Sequence, residues 1–180
     1  MKKDMLKIST SSFMSLEKDF GWIINEMLKN QNLKKMLYYT TEDCLNQPML
    51  NQEQTKSLIN RNIKIVPLVQ IDKDILNYVI IGFDNFSPNE TNPQYRDHII
   101  TIDILCHHSQ WNMGDFKLRP FKIAGEIDGM LDNKHLSGIG TVHFAGGQLL
   151  PMNNQIGGIT LVYATINGGD DKVIQKGSNV

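Results

Sequence analysis

Cysteine is scarce in this chain. Cys44 and Cys106 are the only two in 180 residues, they stand far apart, and neither belongs to a paired zinc or disulfide spacing, which leaves free thiols in a reducing compartment as the simpler reading. Long apolar runs are missing too: YVII and ILC fall far short of the ~20 residues a membrane helix needs. The start, MKKDMLKISTSSFM, has basic residues but no continuous apolar stretch or small-residue cleavage site, so it is a poor signal peptide and a cytoplasmic chain is expected. Asn89-Glu90-Thr91 is then a chance glycosylation match. No charge sign dominates: 18 basic and 19 acidic side chains leave a net charge of −1. A global field that would draw the chain to nucleic acid or an anionic membrane is therefore excluded, and any such contact has to be local. The glycine pairs at 146–147, 157–158 and 168–169, and the GIG at 138–140, do not sit between a strand and a helix in a phosphate-loop spacing. They read as turn glycines. G-x-S-x-G and the deaminase H-x-E with P-C-x-x-C are also absent, so no cofactor is expected.

What is present is organised around Asp97 to Leu131. In DHIITIDILC, Ile100, Ile102, Ile104 and Cys106 alternate with Ile99, Thr101, Asp103 and Leu105, the period of two that marks a strand. Both faces carry apolar residues, so one takes a helix and the other needs cover elsewhere. After the polar loop HHSQWNMGDFK, the segment LRPFKIAGEIDGML puts Ile123, Ile127, Met130 and Leu131 on one stripe, with Pro120 suited to the first turn of a helix.

The rest of the chain supports the same architecture. Leu16, Phe20, Ile23, Ile24, Met27 and Leu28 predict a first helix over 15–28, with Ser15 as its cap; Leu33, Met36 and Leu37 extend the helical pattern. Thr40 to Asn62 reads as loop with a short helix near Glu53 to Leu58. NIKIVPLVQI is a strand interrupted by Pro67, which confines it to an edge, and Ile75 to Phe83 is a second strand. The polar run over 84–97 makes a long projecting loop between two antiparallel strands, of a length that is usually functional or disordered. A strand near Gly140 to Ala145 and a closing strand, GITLVYATI, follow, the latter with Ile159, Leu161 and Tyr163 on one side. The expected fold class is α+β: a mostly antiparallel sheet with an N-terminal helix and a helix after the central strand packed on it. The length suits a single domain over 1–180 that buries roughly 70% of its unfolded surface. Within it, 1–62 is a helical and loop region, 63–166 the α+β core and 167–180 a flexible tail.

Three clusters carry chemistry in principle. Cys106, His107 and His108 with Asp103 upstream offer metal-ligand atoms, to which His135 and His143 would add only if the fold brought them close. Neighbouring strand residues point to opposite faces, so His107 and His108 do not easily share a site, and the bland reading is a buried thiol with two strand-end histidines. Glu126 and Asp128, two apart on a helix, do not form a carboxylate pair and read as solvated. Lys117, Arg119 and Lys122 beside Trp111 and Phe116 form a local basic patch with aromatic neighbours, able to grip nucleic acid by phosphate neutralisation and stacking. Three charges are few, and a solvated face or subunit contact is the plainer reading. Trp111 and Met113, apolar in a polar loop, fit interface anchors; the alternative for Trp111 is that it folds over the helix end.

The order of these features, HIITIDILCH, a short loop with Trp111 and Gly114, the helix KIAGEIDGMLD and the final ITLVYATI, resembles the tail terminator and head-tail joining (neck) proteins of tailed bacteriophages. The likeness covers Ile63 to Ile166, and this chain departs from it in a longer N-terminal region and the loop at 84–97. The resemblance implies a virion structural protein with no reaction and no metal, a homo-oligomeric ring at the head-tail junction that is made in the host cytoplasm. Portal, connector or tail-tube proteins would flank it, with DNA passing in the ring lumen and no membrane contact. The candidates for the contact between copies are Phe86, Tyr95, Arg96, Trp111, Met113, Phe116, Lys117 and Arg119. A small cytoplasmic metal-binding protein or enzyme using Cys106, His107 and Asp103, and a nucleic-acid-binding module using 117–122, are the alternatives.

Overall fold

The computed structural model describes residues 12–65, 77–84, 98–136, 139–151 and 153–166. Helix α1 spans Ser12–Lys29 and turns Leu16, Ile23 and Met27 into the core, with Phe20, Ile24 and Leu28 packed beside them. Ser15 lies inside this helix and does not cap it, because the apolar three-and-four spacing of the sequence runs back past it from Leu16 to Phe13. Asn30 breaks the chain and caps α2, Gln31–Tyr38, its side chain accepting from the Leu33 amide at 3.0 Å. A reciprocal pair between Asn51 and Gln54 starts the short α3, Gln52–Ser57, satisfying two donors that a helix start leaves orphaned.

Among the described residues six strands form one sheet in the order β1-β2-β3-β6-β5-β4. They are β1, Ile63–Lys64; β2, Asn77–Asp84; β3, His98–His107; β4, His135–Leu136; β5, Gly140–Pro151; and β6, Ile156–Ile166. All pairings are antiparallel except β1 with β2. The fold class is thus α+β, and β1 lies at an edge as expected, although Pro67 itself is outside the described residues. So are Ile75, the 84–97 loop beyond Asp84, the glycosylation match, the glycines at 138 and 168–169, and the tail 167–180.

The core lies between the sheet and the helices. Ile100, Ile102, Ile104 and Cys106 of β3 are all fully buried, and so is the stripe Ile123, Ile127 and Leu131 of α4, Arg119–Leu131. Met130 packs against its margin. On the opposite sheet face a smaller cluster of Tyr78, Leu105 and Ile156, flanked by Ile80 and Leu150, provides the second cover that the two-sided strand required.

Two glycine pairs read as turns sit inside strands. Gly146 and Gly147 belong to β5, beside a register shift between Phe144 and Gly146 that leaves Ala145 as the extra residue. Gly157 and Gly158 open β6. A Cβ on Gly158 would meet the Ile104 main-chain oxygen at 1.6 Å, so β3 and β6 approach too closely there for any side chain. Glu126 and Asp128 are not free solvated groups either: Glu126 accepts from Asn30 Nδ2 at 2.7 Å and Asn32 Nδ2 at 2.9 Å, and Asp128 accepts from the Tyr163 hydroxyl at 3.1 Å. They tie α4 to the α1–α2 junction and to β6.

Candidate functional site

The segment joining β3 to α4 closes as a hairpin with a left-handed tip. Its base is held by the Arg119 amide on the Trp111 carbonyl at 2.7 Å and by the Met113 amide on the Lys117 carbonyl at 2.9 Å, with a bridge between Asn112 and Leu118. Trp111 folds back onto the core, half-buried, and its indole N–H donates to the Cys106 carbonyl at 3.1 Å. Met113 is buried in the same core. Both side chains are engaged within the fold, Met113 wholly.

The tip turns at Gly114, Asp115 and Phe116, with φ of 75°, 48° and 59°, closed by the Lys117 amide on the Gly114 carbonyl at 2.9 Å. Positive φ at both central residues is the signature of a type I′ turn, where Asn-Gly or Asp-Gly is favoured. A phenylalanine in the left-handed region costs on the order of 1–3 kcal/mol. Phe116 stands entirely out in water, at 105% relative exposure. Leu118 and Phe121, 40% and 52% exposed, continue the apolar surface. With Lys117, Lys122, Gly125 and Glu126 these residues line an open groove of about 660 Å³. Lys117 reaches Asp115 at 3.4 Å, a pair so exposed that water screens it.

Arg119 stands at the first position of α4 but is fully buried. Its Nε donates to the Gln110 carbonyl at 2.8 Å, Nη1 to those of Met36 and Tyr39, both at 2.8 Å, and Nη2 to that of Thr41 at 2.7 Å. The C-terminal end of α2 leaves carbonyls without helical partners and carries a partial negative charge, and the guanidinium fork satisfies both needs. Arg119 is therefore not a surface cation, and the basic patch reduces to Lys117 and Lys122. Phe86, Tyr95 and Arg96 lie outside the described residues.

The Cys106 cluster does not assemble. Burial pushes the Cys106 thiol up to about 12, against the opposing pull of Arg119, and burial likewise raises Cys44. Asp103 accepts the Thr160 hydroxyl at 2.6 Å on the other sheet face. His107 Nδ1 accepts from the Ser109 amide at 3.2 Å, and the His108 ring packs on Trp111 with centroids 5.5 Å apart. His135 turns to Thr141 at 3.3 Å. Among the described residues no three His, Cys, Asp or Glu side chains are placed to hold a metal ion, and no helix is long and apolar enough to cross a membrane.

Residues 30–165, from the α2 cap to the penultimate residue of β6, match the family model YomW. The chain belongs to the YomW family. That name is a phage-derived gene name of the SPbeta type, so the coarse part of the resemblance, a phage protein, stands, and the name carries nothing specific to tail terminators. No curated protein matches the chain. The YomW match includes the whole hairpin and α4, hence the exposed apolar surface as well as the buried Arg119 beneath it.

Leu118 and Phe121 were not singled out by sequence reasoning, although Phe121 lies off the Ile123, Ile127 and Leu131 stripe and so had to face outward. Arg119 carried a subtler signal. A cation at a helix start opposes the helix dipole, which is a reason to look for a partner elsewhere.

Proposed function

We propose that this phage protein is a non-enzymatic virion structural protein. Copies of it assemble as a ring of tail-terminator or head-tail connector type, flanked by portal, connector or tail-tube proteins, with the groove around Phe116 as a contact between neighbours. The observation that supports this reading is Phe116 itself. A fully exposed aromatic ring on a left-handed backbone carries strain and buries none of its apolar surface in the isolated chain, and a partner that covers the ring removes that surface from water. Leu118, Phe121 and the bare surface of Gly125 extend it into an apolar patch with a polar rim of Lys117, Lys122 and Glu126, the usual anatomy of a protein contact. A ring requires a heterologous contact, in which the Phe116 surface meets a different surface of the next copy.

Light scattering across a concentration series, with electron micrographs of the concentrated protein, tests the reading. The expected result is a discrete large oligomer seen as rings, reduced to smaller species by Phe116→Asp without loss of folding. Chain that stays small at every concentration, or rings untouched by Phe116→Asp, would count against it.

A further inference from the structure

Among the described residues, no strand lies beside most of the outer edge of β5. β4 pairs only with Gly140 and Thr141, and Asn133 and Lys134 bond to both main-chain groups of Val142 at 2.8 Å. The Phe144 amide then donates to Asp132 Oδ1 at 2.9 Å. Beyond that, among the described residues, nothing lies against the edge, and Ala145, Gly147, Gln148, Leu149 and Pro151 are exposed. In an antiparallel ladder alternate residues turn their main-chain groups outward. Val142 sets the phase, and the register with β6 past the bulge makes Gly147, Leu149 and Pro151 the outward residues.

Natural edge strands are normally blunted by charge, proline or a bulge. Here the stretch FAGGQLLP carries no charge at all, while the bulge at Ala145 and the missing donor of Pro151 bound the free edge at its two ends. Between them the edge is self-complementary. If two copies of β5 run antiparallel with Gln148 opposite Gln148, the outward groups of Gly147 and Leu149 face each other twice. Each Leu149, 63% exposed and on the same sheet face as Ile159, then meets the Phe144 ring of the partner, which is 47% exposed and covers the side-chain-free Gly147, its Cζ 3.7 Å from where a Cβ would stand. No like charges meet, and a short bounded edge closes on itself without propagating.

We propose that β5 is a docking edge for a second copy of this chain, pairing with the same strand about a two-fold axis at Gln148. This surface is separate from the Phe116 groove and the proposal does not rest on the ring.

Cysteine scanning of the full chain tests it. The Gln148 pair would be a non-hydrogen-bonded one, with Cα atoms ~4.5 Å apart, within disulfide range. The two Pro151 positions would be roughly 20 Å apart. Cys44 and Cys106 are fully buried and do not compete. Under mild oxidation Gln148→Cys is expected to form a covalent dimer rapidly and Pro151→Cys is not, and Leu149→Lys is expected to halve the mass of the dimer while keeping the circular dichroism of the folded chain. Placing Phe116→Asp in the Gln148→Cys chain leaves the cross-link intact, so failure of the ring and failure of this edge are read separately. Equal cross-linking at both positions, or a mass unchanged by Leu149→Lys, overturns the proposal; a monomer that captures only an extended peptide of another protein overturns the second copy as the occupant.

Discussion

Nη1 of Arg119 donates to the main-chain oxygen of Met36 at 2.8 Å, across 83 positions of sequence. That bond and its three companions fasten the start of α4 to the end of α2 and to the turns on either side, so the base of the Phe116 hairpin is anchored to the helical layer. A loop that must present an aromatic ring in a strained conformation needs such an anchor, because strain persists only where the surroundings over-determine it.

Replacing that guanidinium removes the donor from the buried Met36 carbonyl and from the part-buried carbonyls of Gln110, Tyr39 and Thr41. Arg119→Met is expected to destabilise the fold by at least about 3 kcal/mol, since each buried polar group left unsatisfied costs ~1–3 kcal/mol. Arg119→Lys should recover only part of this, because an ammonium lacks the planar fork that reaches four oxygens. Urea unfolding midpoints decide it, and a midpoint equal to wild type for Arg119→Met would refute the anchoring role.

At the hairpin tip stability and assembly are expected to part. Phe116→Gly places at the second central position of the turn the residue that the left-handed backbone prefers, so the chain should gain about 1 kcal/mol. The same change removes the exposed ring and should weaken the oligomer. A higher melting temperature with a lower mass by light scattering is the expected pair of results; a lower melting temperature would mean that the tip is not strained.

Asn77 lies on the core face of β2, 1% exposed, with neither Oδ1 nor Nδ2 partnered among the described residues. Asn77→Leu keeps roughly the same volume and removes two unsatisfied atoms, for an expected gain of ~1–3 kcal/mol. Thermal and urea unfolding of the variant check the sign directly.

Alkaline pH probes the buried thiols and phenol. Burial raises Cys106 from 9.0 to about 12, so between those values the unfolded chain loses a proton that the folded chain keeps. The stability from the neutral thiol is complete below pH 9 and is lost as pH rises toward 12. Tyr163, raised chiefly by burial and next by the charge of Asp128, acts in the same direction at higher pH. Stability should fall above pH 9, and Cys106→Ala should flatten the first part of that fall. Native Cys106 should also resist alkylation at pH 8 and react once unfolded.

The parts of the fold legible in advance were those governed by one-dimensional periodicity. Alternation in DHIITIDILC and ITLVYATI named the buried faces of β3 and β6, and the Ile123, Ile127 and Leu131 stripe named the buried face of α4, since a period of two or 3.6 decides which side chains share a side. Gly146–Gly147 and Gly157–Gly158 were misread because a glycine that permits a turn and a glycine that permits close strand approach look alike until the neighbouring strand is known. The candidate site divided in the same way. Phe116, Lys117, Met113 and Arg119 share one polar stretch, and only the unfavourable place of a cation at a helix start hints that the guanidinium is held in the core while the ring stands in water.

The sequence by itself therefore determined the α+β class, the strand faces, the amphipathic helices and the lack of a global charge field, all properties of spacing and composition. Tertiary structure alone decided that Arg119 is an internal clamp, that Trp111 and Met113 pack on the core, and that among the described residues Phe116 stands free and β5 has an open edge. Those outcomes depend on which carbonyls, strands and side chains arrive from distant parts of the chain, and burial is set by that arrival.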